Sequence, residues 1–154
     1  MRLGLPAVVL IAASASSLAL AGARQDARIV MSSDPALHKI EEEFGFSDAV
    51  VTGDTVYLSG VVAGVQEGET DLRLAYTRAF ERIGTILKNA GASWDDVVEI
   101  TSFHTDLTTQ MPAIAAVKKT YMKPPFPAWT AIQVSRLIPP NGITEIKMIA
   151  KLRK

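Results

Sequence analysis

Residues 70–107 read TDLRLAYTRAFERIGTILKNAGASWDDVVEITSFHTDL and change periodicity at Gly91. Before that glycine, Leu72, Ala75 or Tyr76, Ala79, Phe80, Ile83, Ile86, Leu87 and Ala90 recur at the spacing that lines one face of a helix. Thr70 and Asp71 offer side-chain oxygens to the first unpaired N–H groups, and Gly91 occupies the left-handed position that ends a helix. The opposite face carries Arg73, Arg78, Glu81, Arg82 and Lys88, a solvated surface rather than a nucleic-acid stripe. After a turn from Ser93 to Asp96, the residues Val97, Val98, Ile100 and Phe103, set among threonines and serines, form a strand that ends near Thr105.

Working outward, a second helix is predicted from about Thr109 to Tyr121. Met111, Ile114, Ala115 and Val117 point inward, and Lys118-Lys119 lie at its carboxyl end, where cations oppose the helix dipole. Pro124 forbids its continuation. Strands are predicted over 128–135 and 143–152, joined by a turn through Pro139-Pro140-Asn141-Gly142. Upstream, Ala49 to Thr52 and Thr55 to Ser59 flank Gly53-Asp54 as a hairpin, with a short additional strand near Ile29 to Met31. The order is ββ-α-β-α-ββ, an α+β domain in which two helices cover one face of a mixed sheet. Trp129, Ala131 and Gln133 alternate with Ala128, Thr130, Ile132 and Val134, so neither side of that strand is plainly polar and both need cover. The second face is therefore expected to lie against another subunit, with a ligand pocket where such surfaces meet.

At 154 residues the chain suits one domain with one core. Sixteen basic residues balance sixteen acidic ones, which excludes a broad electrostatic grip on nucleic acid. The absence of cysteine excludes disulfides, thiolate metal sites and a cysteine nucleophile. Met1-Arg2 precedes an apolar run from Leu3 to Leu20, and small residues follow at Ala19, Ala21 and Ala23. This pattern predicts a signal peptide over 1–23, an exported mature domain over 24–154, and no membrane association after cleavage; an uncleaved anchor is the alternative reading.

From Phe44 to Lys151 several stretches occur together in the order of one family. Gly45-Phe46-Ser47-Asp48-Ala49-Val50 and Gly53-Asp54-Thr55-Val56-Tyr57-Leu58-Ser59-Gly60 come first. Ala90-Gly91-Ala92-Ser93-Trp94-Asp95-Asp96-Val97-Val98 follows, with Thr101, Phe103 and Thr105-Asp106-Leu107 beyond it. Pro125-Phe126-Pro127-Ala128 and Glu145-Ile146-Lys147-Met148-Ile149-Ala150 complete the set. The chain thereby resembles the RidA (YjgF/YER057c/UK114) family. The resemblance implies a chorismate-mutase-like fold, a homotrimer whose sheets form an inner barrel, and ligand clefts at the subunit junctions. It also implies, for typical members, hydrolysis of enamines and imines to ketoacids and ammonia, with no cofactor and no metal.

The resemblance further places an arginine just after Phe-Pro-Ala, where this chain has Trp129. A guanidinium binds a carboxylate with two parallel N–H bonds, whereas an indole has one N–H and no charge, so an imino acid in the usual pose should not bind. Phe46 matches an early tyrosine without its hydroxyl, and Val61 stands where glutamine is usual. Ser59 and Thr130 complete the expected substrate-binding set with Phe46 and Trp129. Glu145 matches the acid beside the attacking water; near an apolar pocket such a carboxylate can act as a general base, and a surface acid beside Lys147 and Lys151 is the plainer reading. His38 and His104 have no partners at metal-ligand spacing and are read as ordinary polar residues. Arg136 and Lys123 are possible relocated cations. Three functions follow: a ligand-binding protein without deaminase chemistry, a deaminase of altered specificity, or an interaction scaffold.

Overall fold

The computed structural model describes residues 22–153. The predicted signal segment lies outside the described residues except for Gly22 and Ala23. In chain order the elements are β1 (Arg28–Val30), α1 (Pro35–Phe44), β2 (Ala49–Thr52), β3 (Thr55–Leu58), β4 (Val61–Gly64), α2 (Leu72–Asn89), β5 (Val97–His104), α3 (Leu107–Tyr121), β6 (Ala128–Gln133) and β7 (Gly142–Lys151), with a 3-10 turn at Trp94–Asp96 before β5.

All seven strands belong to one mixed sheet in the order β1-β2-β3-β7-β5-β6, with β4 also paired to β7. Only β5 and β6 run parallel, because α3 crosses between them. The buried face of this sheet holds Val56, Leu58, Ile100, Ile146, Met148 and Ala150 against Tyr76, Phe80, Ile83 and Leu87 of α2 and Ile114 of α3. Phe80 stacks on Trp94 at 5.7 Å and on Tyr121 at 5.3 Å, which joins the 3-10 turn and the end of α3 to the centre of α2. The helix ends obey the expected chemistry. Asp71 accepts from the Arg73 N–H, Asp106 accepts from Thr108 and Thr109, and Gly91 takes φ +76° just past α2.

Two elements depart from the sequence-based order. Pro35–Phe44 forms a third helix, capped by Asp34 and ended by Gly45 at φ 70°. Val61–Gly64 forms a separate strand, so β3 and β4 follow one another along the same edge of β7. The predicted strand over 128–135 stops at Gln133, and α3 begins at Leu107 rather than Thr109. Among the described residues no helix lies over the other sheet face. Val50, Tyr57, Phe103, Ile132 and Ile149 are partly or largely exposed there, and Tyr57 and Ile132 keep 45% and 46% of their surface open. Among the described residues no helix is long and apolar enough to cross a membrane.

Candidate functional site

The join between β3 and β4 is Ser59-Gly60, where the chain passes from pairing with residues 149–151 of β7 to pairing with 142–146. The Ser59 N–H donates to the Asp48 carbonyl at 2.9 Å and its hydroxyl donates to the Ser47 carbonyl at 2.6 Å, which fastens the Phe46 loop beside the join. Ser59 is thus engaged with backbone, and Phe46 remains 43% exposed at the rim. Gly60 is needed by its neighbour: a Cβ there would overlap the carboxylate of Glu145. Glu145 lies between Val62 of β4 and Phe103 of β5 on the uncovered face, and no ion pair among the described residues includes it. Gly60→Ala should displace the flexible, partly exposed Glu145 side chain at a cost below about 1 kcal/mol, which Glu145→Ala in the same chain should remove in a denaturation experiment.

Behind the Phe46 loop two buried acids meet one guanidinium. Glu41 of α1 and Asp48 before β2 are 1% and 4% exposed. Glu41 Oε2 accepts from the Ser32 N–H at 2.8 Å, and Asp48 Oδ1 accepts from Arg82 Nη2 of α2 at 2.6 Å. Burial and then the hydrogen bond with Glu41 push the Asp48 carboxyl up to about 6, while Arg82 pulls it down.

Trp129 and Thr130 stand elsewhere. In the order β4-β7-β5-β6 they lie three strand spacings, about 14 Å, from β4. Thr130 is level with Thr101 and Lys147 on the uncovered face, whereas Trp129 pairs with Ile100 and turns toward the helices. One chain therefore gathers Phe46, Ser59, Gly60 and Glu145 near the middle of the sheet and holds Trp129 and Thr130 at its β6 edge.

Trp129 is the outer end of a polar chain that runs into the core. Its Nε1–H donates to Ser102 Oγ at 2.9 Å, and Ser102 Oγ lies 2.9 Å from His104 Nε2. His104 Nδ1 is 3.2 Å from Gln110 Oε1 and 3.1 Å from Thr144 Oγ1, which in turn meets the Tyr76 hydroxyl at 2.7 Å. Ser102, His104, Thr144 and Tyr76 are fully buried. The Gln110 amide oxygen can only accept, which puts the histidine proton on Nδ1; Nε2 then accepts from the Ser102 hydroxyl, whose oxygen accepts in turn from the indole. Each group has a partner, and burial lowers the His104 pKa, so the ring is neutral. Burial also raises the Tyr76 phenol to about 12. None of this was expected for His104 or Ser102, although Ile100, Ser102 and His104 share one strand face and so mark an inward polar pair. Over the Trp129 ring sits Lys118 Nζ, 4.6 Å from the centroid, and the Phe126 ring is 5.3 Å away. The other cations considered are placed differently: Lys123 donates to the Lys119 carbonyl, and Arg136 is exposed in the loop after β6. No cluster of three or more potential metal ligands occurs among the described residues.

The family model described as Endoribonuclease L-PSP matches residues 37–152. The chain belongs to the RidA (YjgF/YER057c/UK114) family. It is 36% identical over 118 residues to the RutC family protein YjgH of Escherichia coli, covering 75% of this chain and 88% of that protein. It is 34% identical over 108 residues to a 2-iminobutanoate/2-iminopropanoate deaminase of Dermatophagoides farinae, covering 68% and 83% respectively. The solved structure of YjgH superimposes with a TM-score of 0.71 at 33% identity, over 83% of this chain and 98% of that one. A YjgF/YER057c/UK114 member from Mycobacterium tuberculosis superimposes with a TM-score of 0.69 at 26% identity, over 82% and 99%. The RidA fold is thus that of this chain, with the mixed sheet and helical layer that the resemblance implied.

Proposed function

We propose that this RidA-family protein binds a small molecule in a cleft between subunits and lacks the imine deaminase activity carried in the names of several relatives. One observation carries the reading. The single polar atom of Trp129 is already committed to Ser102 at 2.9 Å, so the residue after Phe126-Pro127-Ala128 has neither charge nor a free donor for an incoming carboxylate. A guanidinium there would present a fork of donors, each charge-assisted bond being worth about 1.5–3 kcal/mol. The two groups of candidate residues, one in the middle of the sheet and one at its β6 edge, are the arrangement expected if a cleft is completed by a second copy. A homotrimer would also cover the apolar face that holds Tyr57 and Ile132. The apolar run from Leu3 to Leu20 supports an exported protein.

The test supplies 2-iminobutanoate or 2-iminopropanoate from an amino-acid oxidase and follows its loss. Wild type is expected to leave the uncatalysed rate unchanged, and Trp129→Arg to raise it at least tenfold. Hydrolysis by wild type would sink the reading. It would favour a second one, a deaminase of altered specificity with Glu145 as general base, for which the 34% identity to a deaminase speaks.

A further inference from the structure

Lys118 is 8% exposed, and its ammonium lies against two aromatic rings, Trp129 and Phe126. Buried lysines normally answer a carboxylate. Among the described residues no ion pair includes Lys118, and the charge that acts on it is another cation, Lys119. The position in the last turn of α3 does not supply a partner either, because side chains on a helix lean toward its amino end and away from the free carbonyls. Attraction to the two ring faces offsets part of the cost of burying the charge, and no acceptor among the described residues takes the ammonium N–H bonds, which are left to the solvent. The surroundings are nevertheless accessible. Phe126 keeps 55% of its surface and Trp129 is half-buried, so the ammonium sits one ring below the surface at the β6 end of the sheet.

We infer that Lys118, framed by Trp129 and Phe126, is the cation that receives a small carboxylate ligand in this protein. The inference rests on the ligand-binding reading above and names the class of its ligand. A single point charge with no guanidinium beside it suits a monoanion better than a phosphate, which gathers several donors. The aromatic frame suits a carboxylate joined to a flat or apolar body, which can lie on the rings while its oxygens take the Lys118 hydrogens.

Calorimetric titration of the full assembly with benzoate and 2-oxobutanoate, beside the uncharged benzamide and 2-butanone, tests this. Each acid is expected to bind wild type at least tenfold more tightly than its neutral counterpart. Lys118→Met should erase that preference, and Lys118→Arg should keep most of it. Thermal melts establish that the variants are folded; should Lys118→Met fail to fold, Lys118→Gln serves in its place. Equal binding of acids and neutral analogues, or no binding of either acid, overturns the inference. Assembly lost alike in Lys118→Met and Glu145→Gln would also overturn it, by giving the ammonium to the carboxylate of a second copy. Imine hydrolysis by wild type would remove the non-deaminase reading and leave the Lys118 result standing, so the two failures are distinguishable.

Discussion

Arg82→Ala should lower stability by about 3 kcal/mol at pH 7.5 and by much less at pH 5. Arg82 is the cation that faces a pocket holding two acids, and the carboxylates of Glu41 and Asp48 are almost wholly removed from water. Asp48 is held up to about 6, above its ordinary value, so between about pH 4 and pH 6 the folded chain keeps a proton that the unfolded chain has released. Stability from this group is therefore present in acid and is lost as pH rises through 6. Above that point the ionised Asp48 depends on Arg82. Below it, the protonated carboxyl can donate to Glu41, whose Oε1 otherwise has no partner, and the guanidinium matters less. Titrating groups away from this cluster are shared by the two proteins and cancel in their difference. Urea denaturation at the two pH values is the check, and an equal loss at both would contradict this account of the cluster.

His104→Val should cost about 3–4 kcal/mol, yet adding Ser102→Val should make the protein more stable than the single variant. The single change removes the acceptor for the Ser102 hydroxyl and the donor to Gln110 and leaves a smaller side chain in a closed core. The double change takes away the stranded hydroxyl; the Trp129 N–H loses its acceptor with it, but that bond is only partly buried, so matched apolar replacement of the two buried members stays cheaper than loss of one. The pH response separates the network from simple packing. Because burial depresses the His104 pKa, the unfolded chain takes up a proton below about 6.5 that the folded chain refuses; wild type loses this contribution as pH falls, and both valine variants lack it. A double variant less stable than the single would mean that the hydroxyl finds another partner.

The central helix and strand were legible because Leu72 to Ala90 follow one period and Val97 to His104 another, and Asp71 and Gly91 mark the limits. Helix α1 was marked too, by Asp34-Pro35 and Gly45, but its pattern is scrambled. Phe44 and Ile40 keep 68% and 43% of their surface exposed while Glu41 is inside, the reverse of an ordinary amphipathic face. Strand β4 is only four residues long and lies beyond Ser59, where the predicted hairpin ends; its pairing appears only when it is set against β7. Family motifs pointed to Phe46, Ser59, Trp129, Thr130 and Glu145. They did not reveal that Gly60 is kept bare for Glu145, nor that Ser102 and His104 draw on Gln110, Thr144 and Tyr76 from other parts of the chain. Lys118 lies in the last turn of α3, as its position in the sequence predicts, and also faces inward beside Ile114 and Val117.

The bond from Trp129 to Ser102 also bears on how such a protein could change over time. Residue 129 can anchor the interior or grip a guest, and the indole is spent on the first task. Replacing the indole frees one lone pair on Ser102 and leaves the inner bonds of Ser102, His104 and Gln110 in place, so a lineage can exchange the first use for the second in one step at position 129. The interior histidine and serine can then outlast the change of trade at the surface, a trace of the older role.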